Sequence, residues 1–265
     1  MQKLTLDDID VRGKRVLIRV DFNVPLNTSE DGSPCVADDT RIRAALPTLR
    51  HVLDHGGKAI LISHLGRPSG QPDPDLSLAC VADHLGTLID ERVRFSSNTV
   101  GDTVGDVIDG MGDGSIILLE NTRFDPGEKS NEEGFAKALA SLADVYVNDA
   151  FGAAHRAHAS TAGVARFVET AAMGRLMEKE IEALTRVRDH PEHPMVAILG
   201  GSKVSDKLGT IRALSTTADH LLIGGAMSYT FLQVLGHEVG ASRIEADRLE
   251  TAESLYEEAE DTLLL

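Results

Sequence analysis

The 265-residue chain has only two cysteines, Cys35 and Cys80, and no metal or redox spacing between them, so both read as structural residues. Its apolar runs reach roughly five to eight residues, well short of the ~20 that cross a bilayer, and no transmembrane helix is expected. The opening Met1-Gln2-Lys3-Leu4-Thr5-Leu6-Asp7-Asp8 lacks the apolar core of a signal peptide, which points to a cytoplasmic chain. Positive charge is also scarce: 26 Lys and Arg stand against 42 Asp and Glu, for a net charge of −16. Long-range repulsion then argues against nucleic acid and anionic membranes as partners. Neither the P-loop pattern Gly-x-x-x-x-Gly-Lys-Ser/Thr nor the dinucleotide fingerprint Gly-x-Gly-x-x-Gly can be laid on the glycine turn at 200–201, which disfavours a nicotinamide dehydrogenase. Internal repeats and low-complexity tracts are missing as well.

What is present is globular, with 42% hydrophobic and 26% charged residues and enough length for one large domain or two ordinary ones. Short β-branched or apolar runs at 16–20, 58–62, 93–95, 115–119 and 145–147 alternate with helical patterns at about 40–54, 77–88 and 131–142. Residues 27–38 read as a polar loop, and Asp39-Thr40 as a helix cap. A long helical pattern over 171–189 ends at Pro191 and Pro194 and marks a domain boundary. Beyond it come a strand at 195–199, a helix to about 215, a strand at 220–223, a helix near 229–235 and an acidic helix over 245–265. The expected fold is α/β: two doubly wound parallel-sheet (Rossmann-like) domains, 1–170 and 190–265, joined by the 171–189 helix, with the second domain incomplete.

In such sheets ligands lie beyond the carboxyl ends of the strands. Asp21 and Asn23, His64 and Arg67, Arg123, and His155 and Arg156 all follow strand ends. Guanidinium forks match carboxylate and phosphate oxygens, so basic groups at four successive strand ends imply a pocket for a small, multiply anionic ligand. Gly200-Gly201-Ser202-Lys203-Val204-Ser205-Asp206-Lys207 reads as a strand, a glycine turn and a helix start. That arrangement suits phosphate, and both lysines would share one helix face if the helix has begun by Lys203. His158 reads as a structural histidine in preference to a ligand contact.

Six stretches carry a family resemblance: Arg19-Val20-Asp21-Phe22-Asn23-Val24-Pro25, Asp39-Thr40-Arg41-Ile42, Ser63-His64-Leu65-Gly66-Arg67-Pro68, Leu119-Glu120-Asn121-Thr122-Arg123-Phe124, Asp149-Ala150-Phe151-Gly152-Ala153-Ala154-His155-Arg156-Ala157-His158, and the octet 200–207. Over its whole length the chain resembles phosphoglycerate kinases, of an archaeal-like and halophilic cast. The resemblance implies a monomeric, hinge-bending glycolytic enzyme using Mg-ATP and Mg-ADP. Its partners would be the small molecules 3-phosphoglycerate and adenine nucleotide, with the phosphoryl group passed in line from 1,3-bisphosphoglycerate to ADP on domain closure. Asp21, Asn23, Arg41, His64, Arg67, Arg123 and Arg156 are similar to the phosphoglycerate site. Arg41 resembles the catalytic arginine, Lys203 and Lys207 the lysines on the transferring group and nucleotide phosphates, and Gly224-Gly225 the nucleotide-pocket wall; no protein metal ligand is carried over. The family continues past residue 265, so a shortened chain is expected, and a non-catalytic phosphoglycerate-binding protein is the alternative.

Only 8 of the 26 basic residues are lysines. Such a balance suggests a strongly hydrated acidic surface suited to high salt. The melting temperature is expected to rise between low and molar KCl in scanning calorimetry; a salt-indifferent value would overturn this reading.

Overall fold

A computed structural model describes residues 3–30, 32–89, 91–259 and 261–265. Met1 and Gln2 of the N-terminal stretch, and Glu260 of the expected terminal helix, lie outside the described residues. The chain divides into two compact units, Met1–Ile181 and Glu182–Leu265.

The first unit begins with β1 (Arg15–Arg19) and a hairpin of β2 (Leu26–Thr28) and β3 (Pro34–Val36). It continues through α1 (Thr40–Asp54), β4 (Lys58–Ile62), α2 (Ala79–Ile89), β5 (Arg94–Ser96), α3 (Asp102–Asp109) and β6 (Ile116–Leu119). Next come α4 (Gly127–Ser130), α5 (Glu133–Ser141), β7 (Val145–Asn148), α6 (Phe151–Ala154), β8 (Thr170–Met173) and α7 (Arg175–Asp189), whose last turns belong to the second unit. Six strands form one sheet in the order β5-β6-β4-β1-β7-β8, and every pairing is parallel. Both faces are covered. Val16, Ile18 and Leu61 pack on Ile42, Leu49, Val81 and Leu85 of α1 and α2, whereas Leu17, Ile60 and Ile117 pack on Val104, Ile108, Phe135 and Leu139 of α3 and α5. Each such aliphatic side chain contributes roughly 1.5–3 kcal/mol by leaving water. This is the doubly wound arrangement expected, with the four strands that carry basic groups, β6-β4-β1-β7, side by side at its centre.

Several local expectations are corrected. The 27–38 stretch holds the β2–β3 hairpin, paired Leu26↔Val36 to Thr28↔Pro34, and its strands are too short and polar to display alternation. Asp39 precedes α1 without capping it, because its carboxylate accepts from Arg43 and His84 instead. Helix α3 has no expected counterpart, since Gly101, Gly105 and Gly110 dilute its pattern around Val104 and Ile108. The helix expected from 171 starts at Arg175, and Thr170–Met173 instead extends the sheet beside β7.

Asp149 explains that start. Its Oδ1 accepts from the backbone N–H groups of Leu176 (2.9 Å) and Met177 (3.2 Å), capping α7 from the end of β7. Gly174 makes room, since a Cβ there would lie 2.3 Å from Oδ1.

The second unit holds β9 (Val196–Gly200), α8 (Leu208–Ser215), β10 (His220–Gly224), α9 (Ser228–Val234), α10 (Leu249–Glu258) and β11 (Leu263–Leu264). Its three strands form a parallel sheet ordered β11-β10-β9 around Val204, Ile211, Leu221, Phe231, Ala252 and Leu255. The terminal helix is therefore shorter than expected. Leu263 and Leu264 leave it to pair with Leu221 and Leu222, because Leu263 can bury itself against the sheet.

Burial raises the Asp149 carboxyl from its ordinary 3.8 to about 6, against the opposing hydrogen bonds from Thr48, Met177 and Leu176. A raised folded pKa contributes stability that is complete below about 3.8 and is lost as pH climbs through about 6. Relative to Asp149→Asn, the wild-type chain should lose about 2–3 kcal/mol of stability between pH 4 and 7. Urea unfolding at the two pH values measures this, and parallel pH profiles would contradict it.

Candidate functional site

Beyond the carboxyl ends of β1, β4, β6 and β7 lies a cavity of about 420 Å³ lined by Asn23, His64, Gly66, Arg67, Arg123, Lys129, Arg156 and His158. Five expected site residues, Asn23, His64, Arg67, Arg123 and Arg156, meet there, and no carboxylate is among the lining residues.

The loop after β4 is pinned from several sides. Gly66 has φ +62°, and a Cβ on it would lie 2.6 Å from Leu76, so only glycine turns the chain here. Its N–H donates to Asn23 Oδ1 at 2.8 Å, and its carbonyl accepts from Arg123 Nη1 at 2.6 Å. Asn121 clamps both sides of Leu65, accepting its N–H (3.2 Å) and donating to its carbonyl (2.7 Å). Buried Glu120 accepts from Ser77 and from Leu78 N–H, fastening the far end of the loop. The two residues before Thr122-Arg123 in their motif thus build the wall, and Arg123 faces the cavity.

Burial first, then the charges of Arg156 and Arg19, press the Arg123 guanidinium below its ordinary value, though an arginine remains a cation. Its Nε is buried without a hydrogen-bond partner, an unsatisfied donor beside an electropositive space. His64 is 3% exposed, and burial, followed by the charges of Arg19, Arg123 and Arg156, drives its pKa down to about 2. It is a neutral imidazole.

Asp21 and Arg41 do not line this cavity. They border an adjacent one of about 260 Å³ with Asp149, Phe151, Leu176 and Glu180. Arg41 Nη1 donates to Asp21 Oδ2 at 3.0 Å, so Asp21 orients the arginine. Half of the Arg41 side chain, 51%, stays open to solvent.

Of the other lining residues, Lys129 escaped the sequence reading and His158 reads there as structural. Lys129 on α4 donates to the Pro68 carbonyl at 3.1 Å, holding the loop that carries Arg67; its rarity in so lysine-poor a chain was the available signal. His158 lines the cavity with its Nδ1 3.6 Å from Glu128, a carboxylate with no exposed surface. Behind them lies Arg19, buried at the end of β1, whose charge inside a strand covered on both faces was itself a signal.

In the second unit, Lys203 and Lys207 follow β9, Gly224 ends β10 and Gly225 comes just after it. The lysines do not share a helix face, because α8 begins only at Leu208. Val204, fully buried, anchors a turn closed by Lys207 N–H on the Val204 carbonyl, and Glu245 accepts from the N–H and hydroxyl of Ser205. Those bonds, with the Val204 N–H and the Lys203 charge, outweigh burial and hold the Glu245 carboxyl below its ordinary value. Both lysines are exposed. Gly225, at φ +73°, lets the two glycine turns meet, since a Cβ on it would lie 2.9 Å from the Gly201 carbonyl oxygen.

The family model for phosphoglycerate kinase matches residues 6–265. The chain is 86% identical over 265 residues to the phosphoglycerate kinase of Salinibacter ruber, covering all of this chain and 67% of that protein. It is 51% identical to that of Pseudothermotoga lettingae, covering 98% of this chain and 64% of the relative. Among solved structures, the phosphoglycerate kinase of Coxiella burnetii superposes with a TM-score of 0.86 at 37% identity, covering 100% of this chain and 66% of that one. The enzyme of Pyrococcus horikoshii gives 0.79 at 30% identity, over 98% and 66%. The chain spans about two thirds of the length of the curated relatives it matches. A pocket built of cations at the strand ends, a doubly wound sheet beneath it and a match along nearly every residue converge on one assignment: this chain belongs to the phosphoglycerate kinase family.

Proposed function

We propose that the chain acts in reversible phosphoryl transfer between 1,3-bisphosphoglycerate with ADP and 3-phosphoglycerate with ATP, and that the 420 Å³ cavity of the first unit holds the phosphoglycerate. The observation that carries this is the lining itself, in which Arg67, Arg123, Arg156, Lys129, His64 and His158 meet with no carboxylate. A ligand with a phosphate at one end and a carboxylate at the other fits such a wall, because each oxyanion takes charge-assisted hydrogen bonds. Asn23 serves by fixing Gly66, and Asp21 by orienting Arg41.

The reaction asks the protein for positioning and charge neutralisation, with little covalent chemistry. An acyl phosphate passing its phosphoryl group to ADP leaves a carboxylate, and no proton has to be moved. A His64 that stays neutral matches that demand as a hydrogen-bond donor to the ligand. Arg41 supplies a permanent positive charge for the phosphoryl group in transfer. Lys203 and Lys207, exposed after β9, take nucleotide phosphates, with Gly224 and Gly225 as pocket wall. Among the described residues no three His, Cys, Asp or Glu side chains gather as a metal site. Magnesium would come with the nucleotide, as Mg-ATP or Mg-ADP, and would neutralise charge on its phosphates.

Calorimetric titration with 3-phosphoglycerate should give saturable binding, weakened about 10–100-fold by Arg156→Ala, the range that one or two charge-assisted bonds supply. Binding that survives Arg156→Ala unchanged would sink the pocket assignment. In a coupled ATP-consumption assay Arg41→Ala should lower kcat by about 10²–10³-fold, as for other groups that neutralise transition-state charge. Binding without turnover in the unsubstituted chain would instead favour a phosphoglycerate-binding role alone.

A further inference from the structure

We propose that Arg19 is a positioning residue that locks His64 in the tautomer with a bare Nδ1, so that His64 offers its Nε2–H as a fixed, neutral donor to an oxyanion of the bound phosphoglycerate. The identity of that ligand rests on the function proposed above; the tautomer rests on geometry alone.

Arg19 is 1% exposed at the carboxyl end of the central strand β1. A guanidinium carries five N–H donors and no acceptor, so each polar atom it touches must accept. Its Nη2 lies 3.0 Å from His64 Nδ1, its Nε 2.9 Å from Ser160 Oγ, and its Nη1 donates to the Val20 carbonyl. With Nδ1 accepting, the single proton of a neutral imidazole sits on Nε2. Asp21 offers no rival hold, because its Oδ1 stands 4.0 Å from Nδ1 and its Oδ2 already accepts from Arg41. The charged and titratable neighbours of the ring include Arg19, Arg123, Arg156 and His158, which oppose a second proton, and the carboxylate of Asp21 4.0 Å away.

The polarity of the network is set further back. Ser160 spends its hydroxyl proton on Glu128 Oε1 at 2.6 Å, and its N–H donates to Oε2 at 2.9 Å. That leaves the hydroxyl oxygen free to accept from Arg19. Glu128 is fully buried, yet His158 3.6 Å away, the Arg19 charge and the Ser160 bonds outweigh burial and hold its carboxyl below the ordinary range. The anion sits at one end and the imidazole at the other, and Arg19 between them donates both ways, to Ser160, which donates on to Glu128, and to His64 Nδ1. Three fixed donor directions from a planar fork are what this requires, and a lysine cannot provide them.

The test is long-range proton–nitrogen NMR of the chain labelled with ¹⁵N-histidine, with His64→Gln assigning the resonances. Expected is a pyridine-like Nδ1 and a pyrrole-like Nε2 for His64, unchanged from pH 5 to 8. In Arg19→Met the ring should move toward the other tautomer or take up a proton in that range, and affinity for 3-phosphoglycerate should fall about tenfold. Ser160→Ala, a milder change, should move the same signature in the same direction by less, and serves where Arg19→Met does not fold. A pyrrole-like Nδ1 in the wild-type chain overturns the proposal, as does a signature unmoved in folded variants. A wild-type chain with the expected signature that binds no 3-phosphoglycerate supports the tautomer assignment and overturns the substrate reading instead.

Discussion

Mutual repulsion among cations is the constraint on which the first unit's site depends. Arg19, Arg67, Arg123 and Arg156 all fall at neighbouring strand ends, and each raises the energy of the others. At an effective dielectric near 20, two unit charges 4 Å apart interact by about 4 kcal/mol, so such a cluster holds only if the fold fixes it. It does so with backbone. The Gly66 carbonyl takes Arg123, the Val20 carbonyl takes Arg19, and the Pro68 carbonyl takes Lys129. One buried carboxylate, Glu128, offsets the charge from behind, near His158, and does not line the cavity. The unrelieved positive potential is left facing the space an anion would fill.

The same constraint explains which motif residues touch the cavity and which do not. Glu120 and Asn121 fasten the loop from Leu65 to Leu78, and Asp21 orients Arg41. Asp149 does not line the 420 Å³ cavity and is spent on capping α7. A site of this kind needs more residues to hold cations in place than it has cations.

The sheet and its basic edge were legible because they follow from two periodicities, apolar runs for strands buried on both faces and helical spacing between them. Arg67, Arg123 and Arg156 could be placed at strand ends without coordinates, since a strand's end is marked by where its apolar run stops. Less visible was everything decided by partners far along the chain. The β2–β3 hairpin rests on pairings in a polar stretch, and β8 exists because β7 offers an edge. The start of α7 depends on Asp149, some 25 residues upstream, and the turn at Lys203 on the Ser205–Glu245 bonds. Lys129 entered the cavity through a four-residue helix too short for any pattern to reveal.

The remaining tension is between the pocket and the rest of the chain. A net charge of −16 repels anions at long range, whereas the lining of the cavity is basic. Salt separates the two. The Debye length shrinks from about 10 Å at 0.1 M to about 3 Å at 1 M, which removes the distant repulsion. Buried cations are screened far less, so the potential of Arg123, at 7% exposure, outlasts that of exposed Arg67. A buried cation pinned to a backbone carbonyl, as Arg123 is to Gly66, thus keeps its potential in concentrated salt, and a guanidinium suits that place because it is the more easily dehydrated cation.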